Sequence, residues 1–157
     1  MPDHPAPRRA PHDFESPPPP DPRIAGVRRI GALASRRATL AEAELARAQR
    51  AAEEAAHALT EAEMALSDCI ADVAAQREAL RAACQSEPGG APVLRRWRRD
   101  DQAQIDRIAP ARQVVTDRQS ERDDAELALG EASARHRALV RRREKYALLE
   151  EELHDGA

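Results

Sequence analysis

The fold is decided by residues 41–83, which read AEAELARAQRAAEEAAHALTEAEMALSDCIADVAAQREALRAA. Small or apolar side chains recur here at alternating steps of three and four residues, and the same spacing extends back to Ile24. The resulting seam is Ile24, Val27, Gly31, Ala34, Ala38, Ala41, Leu45, Ala48, Ala52, Ala55, Leu59, Ala62, Leu66, Cys69, Val73, Gln76, Leu80 and Ala83. Such a period, sustained over more than eight heptads, indicates a coiled-coil helix. Ile30, Leu33 and Leu40 lie just beside the seam, which would fit a local stutter in the repeat.

A break separates this stretch from a second helical one. Residues 23–85 contain no proline, whereas residues 86–92 read SEPGGAP. Proline and paired glycine end a helix, and Pro92 suits the first turn of the next one. We therefore expect helices at residues 23–85 and 93–154, joined by a turn at residues 86–92. Pro110 interrupts the second helix, so we expect a kink at residues 106–110.

The seam of the second helix is poorer in apolar residues but complements the first. It reads Leu94, Trp97, Asp101, Gln104, Ile108, Ala111, Val115, Arg118, Arg122, Ala125, Leu129, Ala132, His136, Leu139, Arg143, Tyr146, Glu150 and Leu153. If the chain folds back at Pro88 and Gly89, residues whose numbers add to 177 face each other. The pairs include Leu80 with Trp97, Gln76 with Asp101, Ala38 with Leu139 and Gly31 with Tyr146. Large side chains repeatedly meet Ala or Gly, which favours an antiparallel hairpin over a parallel dimer.

Composition supports the same fold class. Aromatic residues make up 2% of the chain and charged residues 34%, so a wide globular core is excluded. Residues 1–22 hold nine of the twelve prolines and too little apolar surface to fold. We expect an all-α protein, a long two-helix antiparallel coiled-coil hairpin with a disordered proline-rich N-terminal tail at residues 1–22. A polyproline ligand for an SH3-like groove is the alternative for that tail.

Two cysteines, Cys69 and Cys84, lie far from any Cys/His cluster with metal-ligand spacing. Without a recognisable secretory signal they indicate free thiols in a reducing compartment. No stretch approaches the roughly 20 apolar residues that span a bilayer, so we expect a cytoplasmic protein without direct membrane insertion.

Charge is segregated along the expected rod. The open end is basic and carries Arg23, Arg28, Arg29, Arg36 and Arg37 on the first helix and Arg135, Arg137, Arg141, Arg142, Arg143 and Lys145 on the second. The middle of the rod is acidic, and the region near the turn is basic again. Solvated helix faces account for much of this pattern. However, arginines begin the first helix and glutamates close the second, against the preference of the helix dipole, which favours a docking role for the open end.

The sequence offers no catalytic or cofactor site. It contains no phosphate loop, HExxH, GxSxG or CxxC motif, and its carboxylates are spread over exposed faces rather than gathered in an apolar pocket. We therefore expect no enzymatic activity, no cofactor and no metal. Residues 95–99 read RRWRR, a composition found at nucleic-acid contacts. Because Trp97 falls on the seam opposite Leu80, we expect it to close the hairpin core and expect no nucleic-acid partner.

The hairpin, hinged near its middle and ending in the basic segment RRREKYALLE at residues 141–150, resembles the stalk proteins of bacterial type III secretion, the FliJ/YscO family. The resemblance implies a helical rod similar to the central shaft of rotary ATPases, peripheral to the inner-membrane export apparatus. Its implied partners are the hexameric secretion ATPase, the export gate protein and export chaperones. The implied ATPase-facing residues are Arg28, Arg29, Arg36, Arg37, Arg141, Arg142, Lys145 and Tyr146. The implied gate-facing residues are Arg77, Arg81 and Trp97.

Two other function classes fit the same pattern. One is a nucleic-acid-binding helical arm, similar to the tRNA-binding hairpins of some synthetases, although those arms are attached to catalytic domains. The other is a purely structural coiled-coil adaptor, which the sequence does not distinguish from a stalk.

Overall fold

The computed structural model describes residues 22–156, which form a long antiparallel helical hairpin. Helix α1 spans Pro22–Ser86, α2 spans Gly90–Asp106 and α3 spans Ile108–Asp155. Helix α1 is one arm, and α2 and α3 together form the other. None of the described residues lies in a strand. The predicted all-α hairpin is thus confirmed, and α1 would be about 95 Å long at 1.5 Å per residue.

The helix boundaries differ slightly from those expected. Pro22, assigned above to the tail, is the first residue of α1, where its missing N–H costs no hydrogen bond. The remainder of the predicted tail, residues 1–21, lies outside the described residues. The turn is shorter than residues 86–92, because α1 continues to Ser86 and α2 already begins at Gly90.

The predicted seam of α1 forms the core. The buried residues of the described chain are Ile24, Ala34, Ala38, Ala41 and Val73, and all five belong to that seam. Three of them are alanines near the open end, so the two arms approach closely there. On the facing arm the seam residues are mostly half-buried. A two-helix rod can bury only one stripe on each arm, which explains so small a core.

The register between the arms is the predicted one. A methyl group on Gly31 would contact Tyr146 Cβ at 3.8 Å, and the two residue numbers add to 177. Ion pairs between the arms lie within two residues of that register: Arg28 with Glu150, Glu44 with Arg135, Asp72 with Arg107, and Arg77 with Asp101. These cross-links extend from the open end almost to the turn.

Near the turn the predicted seam is wrong by one residue. Gln76 and Ala83 are exposed, whereas Arg77 and Cys84 face the other arm and are half-buried. An α-helix has 3.6 residues per turn, so a straight helix drifts away from a strict heptad spacing over many turns. The seam residues Leu94, Arg118 and Arg143 are also exposed. The two arginines can carry their charged ends into water along the side of the rod.

Glycine makes the tight turn possible. Gly90 has a φ of 48°, in the left-handed region that side chains disfavour. At Gly89 an added Cβ would lie 2.6 Å from Val93 Cγ2, closer than carbon atoms tolerate. An ion pair between Glu87 and Arg96 spans the turn.

The second arm is interrupted at Arg107, inside the range where Pro110 predicted a kink. Proline lacks the N–H that would bond the carbonyl of Asp106. At the interruption the Arg107 N–H donates to the Gln104 carbonyl, three residues back rather than four, at 3.2 Å between N and O. The Arg107 guanidinium binds Asp72 on α1 at 2.7 Å, and the Cys69 thiol lies 3.8 Å from the Arg107 carbonyl oxygen. These two contacts therefore connect the interruption in the second arm to α1.

Candidate docking surface at the open end

The first residue of α1 and the last residue of α3 lie together at the open end of the hairpin. Residues 22–41 carry no acidic side chain, and Glu144 is the one acid among residues 132–149. Most of the cations here have no hydrogen-bond or ion-pair partner within residues 22–156. We call these unpaired cations the basic belt: Arg29, Arg36, Arg37, Arg137, Arg141, Arg142, Arg143 and Lys145. All of them are exposed, so the belt is a cationic surface that the chain itself does not neutralise.

Two of the eight residues implied to face an ATPase take part in the hairpin instead. Arg28 Nε donates to Glu150 Oε1 at 2.8 Å, and its Nη2 lies 3.4 Å from His154 Nε2. Tyr146 is half-buried against Gly31. The other six are exposed members of the basic belt. Substituting Arg28 or Tyr146 would disturb the joint between the arms as well as any docking contact.

One flank of the rod carries a row of residues that face each other across the arms. On α1 this row contains Ile30, Arg37, Glu44 and Asp72, and on the second arm it contains Arg107, Arg135, Arg142 and Leu149. Each row repeats in multiples of seven residues, the coiled-coil period. Ion pairs fix the alignment, with Glu44 to Arg135 at 3.1 Å and Asp72 to Arg107 at 2.7 Å.

The same alignment sets two arginines against each other near the open end. Extending this row by one heptad from the Glu44–Arg135 pair places Arg37 at the level of Arg142, and a second heptad places Ile30 at the level of Leu149. Coiled coils usually neutralise such flanking positions with opposite charges. In this hairpin Glu44–Arg135 and Asp72–Arg107 are such pairs of opposite charge, whereas Arg37 and Arg142 bring two like charges to the same level.

Exposed aliphatic side chains lie on this flank beside the two arginines. Ile30 is 46% exposed, Leu33 53% and Leu40 66%. Leu33 and Leu40 lie four residues before Arg37 and Glu44 and therefore one position further out on the same side of α1. We call Ile30, Leu33, Leu40, Arg37, Arg142 and Leu149 the basic–apolar flank. Ile30, Leu33 and Leu40 lie beside the seam in the sequence, where their spacing suggested only a local stutter in the repeat.

The residues implied to face an export gate are held within the turn-proximal part of the hairpin. Arg77 makes two hydrogen bonds to the Asp101 carboxylate, at 2.7 and 3.2 Å. Hydrogen bonding from the Arg77 guanidinium holds the pKa of Asp101 below its usual value, against the opposing effect of burial. Arg81 pairs with Glu78 at 2.8 Å within α1.

Trp97 is half-buried near the turn. It lines a small cavity of about 50 Å³ together with Leu80, Cys84 and Val93, and its indole N–H has no partner within residues 22–156. Nearby, Arg95, Arg98 and Arg99 are exposed, and no ion-pair partner occurs for them in the described chain. Near the turn, the exposed arginines without an ion-pair partner in the described chain are thus Arg95, Arg98 and Arg99, and not the residues implied to face an export gate.

Residues 22–156 contain no group of three or more His, Cys, Asp or Glu side chains that could hold a metal ion. In the same range, no helix has an apolar stretch long enough to cross a membrane. No protein-family profile, curated protein or solved structure matches this chain.

Proposed function

We propose that this chain is a non-enzymatic stalk of a bacterial type III secretion export apparatus. Its open end would dock in the hexameric export ATPase, and its turn end would reach towards the export gate. The observation that carries the proposal is the basic belt, a set of exposed cations without intramolecular partners at one end of a rod. A partner with an acidic or polar lining would supply the missing countercharges.

The dimensions of the rod suit this role. Two packed helices, each about 10–12 Å in diameter, give a rod roughly 20 Å wide, so an axial opening in a ring of subunits would have to be at least that wide to receive it. The seam holds the arms together, so the belt is available for contacts outside the chain. Exposed charges of this kind govern encounter and register with a partner more than they govern the fold.

The proposal is tested by reversing charge in the belt. The triple variant Arg29→Glu, Arg37→Glu and Arg142→Glu should weaken binding to the export ATPase at least about tenfold and remove any stimulation of ATP hydrolysis. Helicity measured by circular dichroism should stay unchanged, because none of the three side chains is in the seam. Binding by the unsubstituted chain should weaken as salt rises, since exposed charges are screened over about 10 Å at 0.1 M.

A matched control reverses three cations at the other end of the rod. The variant Arg95→Glu, Arg98→Glu and Arg99→Glu makes the same change in net charge among exposed arginines and should leave ATPase binding intact. Equal loss in both variants would mean that net charge, not the open end, governs binding. Salt-dependent binding to RNA that only the second variant loses would favour a nucleic-acid-binding arm instead.

A further inference from the structure

We infer that the basic–apolar flank at the open end is a docking surface for an acidic amphipathic helix contributed by a partner protein. The inference rests on the proposed function in one respect, that the open end is a docking end. It adds which side of that end makes the contact and what kind of element it receives.

Apolar groups on the flank give a helix a place to pack. Ile30 and Leu40 lie ten residues apart on α1 with Leu33 between them, about 15 Å or three helical turns, and the heptad row places Leu149 at the level of Ile30 on the other arm. All three α1 side chains are more than 40% exposed. A helix lying along the two arms would cover them with its own apolar stripe, as amphipathic helices do in apolar grooves.

Charge on the flank selects an acidic occupant. Arg37 and Arg142 stand opposite each other, and neither has a partner within residues 22–156. Lys145 lies three residues from Arg142, on the same side of α3. Acidic side chains bordering the apolar stripe of an incoming helix would separate and neutralise these cations.

The same charges argue against a second copy of this chain as the occupant. A two-fold contact would bury Arg37 and Arg142 of both copies in one interface, because such an interface uses one patch twice. Four unpaired cations would then meet across an apolar contact. The opposite flank offers no comparable site, since Arg28 is already bound to Glu150 there.

A synthetic helical peptide tests the inference directly. The probe has three heptads, with Leu at its a and d positions and Glu at its e and g positions, and carries a fluorophore for anisotropy. The full chain should bind it saturably and more weakly at high salt. The double variant Leu33→Ser and Leu40→Ser should weaken binding at least about tenfold, because it removes the apolar contact. The variant Arg37→Gln and Arg142→Gln should weaken binding and reduce its salt dependence.

Two controls match these changes. Met64 and Leu127 are 63% and 66% exposed on the shaft, and replacing both with serine removes as much exposed aliphatic surface away from the flank. Peptide binding by this variant should be unchanged. A second peptide with Lys in place of Glu should fail to bind. Circular dichroism of each protein variant checks that the hairpin is intact.

The inference is overturned if the acidic peptide does not bind, if the Lys peptide binds equally well, or if the Leu33/Leu40 variant binds like the unsubstituted chain. Binding to vesicles containing phosphatidylserine, lost in that variant while the acidic peptide fails to bind, would identify a membrane surface instead. Peptide binding without any association with the export ATPase would refute the proposed function alone. ATPase association that survives the Leu33/Leu40 substitutions, together with absent peptide binding, would refute this inference alone.

Discussion

Arg77 and Asp101 join the two arms near the turn through two hydrogen bonds. Because the pKa of Asp101 is lowered in the folded chain, the pair stabilises the hairpin at pH values above about 3.9, the usual value for an unfolded aspartate. That contribution is lost as the pH falls through the lower pKa of the folded state. Asp101→Asn should therefore lower the melting temperature at pH 7, and the difference from the unsubstituted chain should shrink towards pH 2.

Thermal unfolding followed by circular dichroism at several pH values measures this effect. Asp100→Asn is the matched control, because Asp100 is exposed and no ion-pair partner occurs for it within residues 22–156. It should change the melting temperature little at any pH. A constant difference between Asp101→Asn and the unsubstituted chain from pH 7 to pH 2 would contradict the assigned role of the carboxylate.

Individual side chains were the hardest part to predict from the sequence. The heptad spacing placed Gln76 opposite Asp101, whereas the slow drift of the helix brings Arg77 there. The prediction that Asp101 meets a polar partner was right, but the partner was wrong by one residue. Adjacent residues on an α-helix point about 100° apart, so an error of one position changes the face on which a residue lies. Arg77, implied above to face an export gate, therefore contacts the other arm instead.

Close approach of α1 and α3 depends on alanine. Ala38 is 2% exposed and, in the confirmed register, faces Leu139. Ala38→Leu should push the helices apart locally and lower the free energy of unfolding by about 1–3 kcal/mol, the usual cost of overfilling a packed core. Chemical denaturation followed by circular dichroism measures the change.

A second alanine on the same helix provides the comparison. Ala71 is exposed, and Ala71→Leu exchanges one good helix former for another at the surface. It should change the free energy of unfolding by less than about 0.5 kcal/mol. If both substitutions had equally small effects, the alanines near the open end would not be setting the distance between the arms.

The sequence predicted which segments are helical, but it predicted the residues at which the helices begin and end less accurately. The seam period and the segment SEPGGAP are local signals, and they located both arms and the turn between them. Whether α2 begins at Gly90 or at Val93 depends on the backbone angles that two adjacent glycines adopt, and the composition of the turn does not determine these. The break at Arg107, in contrast, lies inside the range of residues 106–110 that Pro110 predicted.

At the scale of the whole molecule, the hairpin should behave as a rod. Small-angle scattering should give a largest dimension of at least about 95 Å, set by the 65 residues of α1. A compact chain of this length would instead have a radius of gyration near 15 Å. A radius close to that value, or a strongly concentration-dependent one, would rule out the monomeric extended hairpin.

The register of the arms could be predicted because complementarity between two seams is a property of the whole sequence. The basic–apolar flank could not be identified in the same way. Its meaning depends on Arg37 and Arg142 standing together, and that follows only after the arms are aligned by ion pairs such as Glu44–Arg135. The seam pattern is repeated along the chain, whereas the basic–apolar flank occurs at one level of the rod only.

Having both helix termini at the open end has a mechanical consequence. A force applied between Pro22 and Asp155 pulls the two arms apart sideways. The facing seam residues then separate one pair after another, starting at the open end. A load along the rod axis strains the whole seam at once and is resisted by every pair together. The two arms are therefore separated most easily from the open end, where buried Ile24 and the Arg28–Glu150 ion pair part before the close-packed alanines do.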